Sequence, residues 1–199
     1  AKNTTIQNCT ADVAVTALRD YAGGIAAYID GGTRVTGCVN RGAINGADGV
    51  GGIAGICQDT ASSLTGCVNY GAIAADGSSA GAGGIAGRMN GSMTHCANYG
   101  AVTGNVWYLG GLAGSCNTDK GGVITGCYNI GAVTSTSTYN SAGTGGLIGY
   151  GNYYKLQNCY DYGAVSAAKG STGAIVGRDG RRSYSSRQRC YYLASACAN

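Results

Sequence analysis

The chain has 199 residues, 38 of them Gly and ten Cys, no Pro or Phe, and a formal charge of +4 from 13 basic and nine acidic groups. Every acidic side chain is Asp and unbranched helix formers are scarce, which disfavours helix, since each interior Gly costs about 1 kcal/mol relative to Ala. No stretch reaches the roughly 20 apolar residues that cross a bilayer, so membrane insertion is not expected, and Ala1 to Thr5 lack the apolar run of a signal peptide.

Along the chain, residues 1–20 read as an N-terminal edge or cap and contain the first member of a repeat. Cys9, Cys38, Cys67, Cys96, Cys127, Cys159 and Cys190 follow one another at gaps of 29, 29, 29, 31, 32 and 31 residues. From Cys38 onward the cysteine opens one phrase: Cys38-Val-Asn-Arg-Gly-Ala-Ile44, Cys67-Val-Asn-Tyr-Gly-Ala-Ile73, Cys96-Ala-Asn-Tyr-Gly-Ala-Val102, Cys127-Tyr-Asn-Ile-Gly-Ala-Val133 and Cys159-Tyr-Asp-Tyr-Gly-Ala-Val165. A second phrase lies in each interval, as in Gly51-Gly-Ile-Ala-Gly55, Gly83-Gly-Ile-Ala-Gly87 and Gly145-Gly-Leu-Ile-Gly149. Both are short apolar runs bounded by Gly, the form of brief buried strands. Self-similarity at this period predicts an all-β fold, a right-handed parallel β-solenoid of about six coils of roughly 27–35 residues. No change of composition marks a boundary, so residues 1–199 read as one domain, closing with a basic coil or cap at 178–199.

Aligning the repeats gives columns. Val35, Leu64, Met93, Ile124 and Leu156 precede the cysteine by three residues, and Ile44, Ile73, Val102, Val133 and Val165 follow it by six. Stacked, they build a core that no single repeat could bury. Asn40, Asn69, Asn98 and Asn129, continued by Asp161, form a polar column suited to an amide ladder. Gly42, Gly71, Gly100, Gly131 and Gly163 are expected to turn the chain into the next strand. Segments between phrases vary in length, notably 134–144, and are expected to be exposed loops that carry any recognition.

The cysteine column reads as a ladder of buried thiols, because parallel Cβ vectors in adjacent coils sit too wide for a disulfide. Cys57 and Cys116 take equivalent places two repeats apart, while Cys190 and Cys197 are near enough in sequence to be bridged. No Cys-x-x-Cys pair exists and His95 is the sole His, so neither a metal nor a cofactor is expected. His95 occupies a corner column where other repeats have Gly37, Gly66, Gly126 or Asn158, and no nucleophile or carboxylate recurs beside it, so no catalytic residue is assigned. Arg178, Arg181, Arg182, Arg187 and Arg189 place the net charge in the last coil, where they either protect the strand edges or dock an acidic partner. Confined to one short segment, they do not suit nucleic acid. Tyr70, Tyr99 and Tyr162 form an outer ladder. Trp107, Tyr108, Tyr139, Tyr150, Tyr153 and Tyr154 lie in or beside variable segments and are candidates for contact with an extracellular glycan or protein.

These phrases together resemble the GLUG-motif repeats of bacterial cell-surface proteins, in which Gly-Leu-bulky-Gly recurs with Cys-Tyr-Asn-x-Gly-x-Val. Gly146-Leu147-Ile148-Gly149 and Cys127-Tyr128-Asn129 match best, Ala54, Ala86 and Ala113 depart at the bulky position, and Cys190-Tyr-Tyr-Leu193 looks like the ending that closes such arrays. The resemblance implies a secreted or surface-anchored module with an adhesive or spacer role and no shared catalytic residues. A fibre subunit associating through its coil ends is the rival expectation. Ice binding, from the column Thr36, Thr65, Thr94 and Thr125, and a polysaccharide-active enzyme are weaker ones.

Overall fold

Apolar phrases interrupted by Gly every few residues cannot sustain long strands, and most strands here have two to four residues, as in Val39–Asn40, Ile44–Gly46 and Ala54–Cys57. The computed structural model describes residues 1–77, 81–181 and 185–193; Arg182, Cys197 and the side chain of Arg181 lie outside the described residues. The second coil runs through Arg34–Thr36, Val39–Asn40, Ile44–Gly46, Val50–Gly51 and Ala54–Cys57. Each segment pairs in parallel with its counterpart in the third coil, Ser63–Thr65, Val68–Asn69, Ile73–Asp76, Gly81–Gly83 and Ala86–Met89. Repetition gives one seven-stranded and two six-stranded sheets, and an eleven-stranded sheet in which the long strands Ala113–Thr125 and Ile148–Gln157 join two segments of a coil. The fold is an all-β parallel β-solenoid of about six coils, with no helix among the described residues.

The repeat phrases turn out to mark corners, not single strands. Gly51 ends one strand, the chain bends, and Ala54 begins the next. Likewise Asn40 ends a strand and Ile44 starts another. The residue before each cysteine is left-handed throughout: Asn8, Gly37, Gly66, His95, Gly126, Asn158 and Arg189 have φ between 51° and 63°. His95 is therefore one tolerated occupant of a corner that favours Gly and Asn.

This corner explains the cysteine. The N–H of Cys67 donates to Cys96 Sγ at 3.4 Å, that of Cys96 to Cys127 Sγ at 3.3 Å, and that of Cys127 to Cys159 Sγ at 3.5 Å. Each thiol donates onward to a carbonyl, Cys96 to Thr94 at 3.5 Å. All described cysteines are free; Cys9 is exposed, Cys190 partly covered, and the others buried.

Across the interior, the Asn column touches the second Gly of the Gly-Gly phrase. A Cβ on Gly52, Gly84 or Gly111 would collide with Asn69, Asn98 or Asn129 respectively. This contact pinches the coil and divides the interior into two cores. One holds the cysteines with Val35, Leu64, Met93, Ile124 and Leu156; the other holds Ile44, Ile73, Val102, Val133 and Val165. The glycine four residues after each cysteine has a different role from the one expected. Its φ is not left-handed; a Cβ on Gly100 would instead strike the carbonyl oxygen of Gly71 in the preceding coil. The insertion at 134–144 is also less exposed than expected, since Ser135, Ser137 and Ala142 are buried.

The two kinds of glycine predict opposite outcomes. Gly100→Ala should lower stability by about 2–4 kcal/mol, because the backbone of a neighbouring coil must move. Gly66→Asn, at a left-handed corner with open space around it, should stay within about 0.5 kcal/mol in the same urea titration.

Candidate functional site

Recognition in a solenoid falls to side chains that leave the stack, and four of the expected aromatics meet at one corner. Tyr108 begins the strand Tyr108–Gly110, and Tyr150 lies in Ile148–Gln157 on the other side of the bend. Their rings stack with centroids 4.5 Å apart and planes at 22°. Trp107 stands edge-on to Tyr108 at 6.3 Å and lies 5.4 Å from Tyr139, which the 134–144 segment supplies. The Gly143 N–H donates to the Trp107 carbonyl at 2.8 Å and ties that segment to the corner. Gly143 also leaves room for Arg178, the register partner of Tyr150, whose guanidinium donates to the Ser141 carbonyl. Trp107, Tyr108 and Tyr150 are half-buried and Tyr139 is exposed. Burial raises the Tyr108 hydroxyl above its ordinary range, with Arg178 opposing, so the phenol stays neutral. The corner offers ring faces, phenolic hydroxyls and one cation on a rigid base.

The same corner in the first coil carries Tyr21 and Tyr28, 6.0 Å apart. The register shows this equivalence; separation in sequence conceals it.

The remaining candidates lie elsewhere. Tyr154 is not a surface aromatic: it is fully buried in the cysteine-lined core, because the long strand Ile148–Gln157 carries it inward. Its hydroxyl donates to Asp179 Oδ2 at 3.3 Å, and burial raises its pKa. Arg187 pairs with the same carboxylate oxygen at 2.9 Å and lies 5.9 Å from the Tyr154 ring centroid. In register, Arg187 continues the column Val35 to Leu156, so it lies over the end of the apolar stack. Tyr153 is half-buried and left-handed, and Arg189 is exposed at a corner; neither joins the Trp107 cluster. The outer tyrosine ladder is exposed, with Tyr70 and Tyr99 stacked at 4.9 Å and Tyr99 bonded to Tyr128 through their hydroxyls at 2.5 Å. Tyr70 and Tyr99 face each other, which leaves mostly the edges of that pair for a ligand, while Tyr162 stands edge-on to Tyr160. Thr36, Thr65, Thr94 and Thr125 stack in register, with Gln157 next.

The Asn column is a continuous ladder. Asn40 donates to Asn69 at 2.7 Å, Asn69 to Asn98 at 2.8 Å, Asn98 to Asn129 at 2.7 Å, and Asn129 to Asp161 at 2.8 Å. Asp161 is buried, and desolvation raises its carboxyl to about 6 against the bonds from Asn129 and Gly163. The buried thiols of Cys57, Cys116 and Cys127 are pushed up to about 12 by desolvation and remain protonated.

No family model, curated protein sequence or solved structure matches this chain.

Asp161 gives a signed pH dependence. Because its folded pKa of about 6 exceeds the ordinary 3.8, the folded chain holds the proton more tightly. Its contribution is fully present below the ordinary value and is lost as pH rises through about 6, roughly 3 kcal/mol in all. Asp161→Asn should remove that slope and raise stability near neutral pH, as read from denaturation midpoints across the window.

Proposed function

We propose that this chain is a non-catalytic extracellular module of a bacterial surface, and that it adheres to glycan through the corner built by Trp107, Tyr108, Tyr139 and Tyr150 with Arg178. The observation that carries this reading is the convergence of four aromatic rings from three segments on one rigid corner. Aromatic rings supply flat apolar area for the C–H face of a sugar, while phenols and a guanidinium supply hydrogen bonds to its hydroxyls. The GLUG-like phrases support the surface location. Stacked coils also make a stiff rod, so the same chain serves as a spacer that holds the corner away from its anchor.

A head-to-tail fibre subunit is the second reading. Apolar side chains gather at both ends of the stack, Val13 at 67% and Leu18 at 93% exposure in the first coil, Tyr191 at 65% in the last. Particles that lengthen with concentration in electron micrographs would favour it, and dispersed particles of constant length would remove it.

Trp107 is the sole tryptophan, so its fluorescence reports this corner alone. On a glycan array the wild-type chain should bind a defined set of sugars, and those sugars should shift or quench Trp107 emission. Tyr150→Ala should weaken binding about tenfold with an unchanged far-ultraviolet spectrum. Unaltered binding by Tyr150→Ala and Trp107→Ala would exclude this corner, and a silent array would leave the spacer role.

A further inference from the structure

The outer face of the seven-stranded sheet carries a column that changes character along the axis. Val39, Val68, Ala97, Tyr128, Tyr160 and Tyr191 are its successive register partners. Tyr128 and Tyr160 use the coil spacing to stack, with centroids 5.1 Å apart and planes at 4°. Tyr191 does not continue the stack. Its ring pairs with no other among the described residues, and it is 65% exposed.

A cavity of about 240 Å³ opens at this step, lined by Tyr160, Asp161, Tyr162, Tyr191, Tyr192 and Leu193. Tyr162, two residues beyond Tyr160 in the same coil, stands at 75° to it with centroids 5.4 Å apart, so the two rings make a corner and not a platform. Tyr162 is 52% exposed, and the corner opens to solvent. Asp161 puts no charge on these walls: its carboxyl turns inward, where Oδ2 is buried against Gly146 without a hydrogen-bond partner. The cavity therefore offers phenol rings and Leu193.

Such walls select a class of ligand. A sugar stacks on a flat platform and asks for hydrogen bonds around its rim, which two rings near a right angle supply poorly. A quaternary ammonium group spreads its charge over methyl groups in all directions, so it can touch both rings of a corner at once. It has no N–H to satisfy, and the ring quadrupoles attract its charge.

We propose that this cavity binds a quaternary ammonium group of the trimethylammonium type, held by Tyr160, Tyr162 and Tyr191. The ligand takes the place that a further stacked ring would fill. The site is separate from the Trp107 corner and stands whether or not that corner binds glycan. Arg189, exposed two residues before Tyr191, opposes the ligand only through charge screened by solvent.

The test is an NMR titration of the full chain with choline chloride at constant ionic strength, with 3,3-dimethyl-1-butanol as the neutral molecule of the same shape. Saturable binding of choline is expected, its methyl protons shifted upfield by the rings they face, and the alcohol should bind at least about fivefold more weakly. Tyr162→Ala, at an exposed position, should keep its denaturation midpoint yet weaken choline binding about fivefold. Tyr162→Phe should retain binding, because the ring and not the hydroxyl makes the contact. Trp107 emission should not respond. No saturable choline binding, equal affinity for the alcohol, or binding that survives Tyr162→Ala or alters Trp107 emission would overturn the proposal.

Discussion

A buried primary amide is tolerable only when each of its hydrogen-bonding groups is occupied, since one orphaned group costs about 1–3 kcal/mol. Repetition meets this demand for Asn69 and Asn98, each both donor and acceptor to an identical neighbour, while Asn40 at the first rung keeps a buried Oδ1 without a partner. The condition is strict: a rung displaced along its strand would lose its partners above and below together. The facing glycines let the amide column lie against the opposite wall, and that contact separates the two apolar cores. Coil shape, core division and register thus depend on one hydrogen-bonded column and the residues that make room for it. Length variation is confined to the intervals, as the rung spacings of 29, 31 and 32 residues show.

The left-handed corner beside the ladder poses a related problem. Its geometry leaves the cysteine N–H aimed at the next coil, where it meets the thiol of the equivalent cysteine. Sulfur answers because it is large and apolar enough to fill a core position and still accepts a weak hydrogen bond. Serine would hold its oxygen closer to its own backbone, and valine would offer no acceptor. A residue type usually read as redox chemistry here combines packing with backbone satisfaction.

Whatever repeats with the coil could be read from the sequence. The Cys, Asn and aliphatic columns appear there as they stand in space, because parallel in-register pairing turns vertical neighbours into equivalent positions. Whatever depends on the path within one coil was hidden. The bend inside Gly51-Gly-Ile-Ala-Gly55, the collision that requires Gly100, and the inward turn of Tyr154 all arise from backbone geometry between columns. The meeting of Tyr108 with Tyr150 is of the same kind, since the two rings come from opposite sides of a corner. Asp161 was visible as a substitution in the Asn column, but its unpaired oxygen follows only from the direction in which the ladder donates.

That direction has an electrical consequence. From Asn40 to Asn129 every amide points its N–H toward the C-terminal coil, so the bond dipoles align and their effects add, as those of peptide groups do along a helix. The positive end of this macrodipole rests on the carboxylate of Asp161. Part of the cost of burying that carboxylate is offset by the column beneath it, and the solenoid acquires an electrostatic head and tail that its near-identical coils would not otherwise possess.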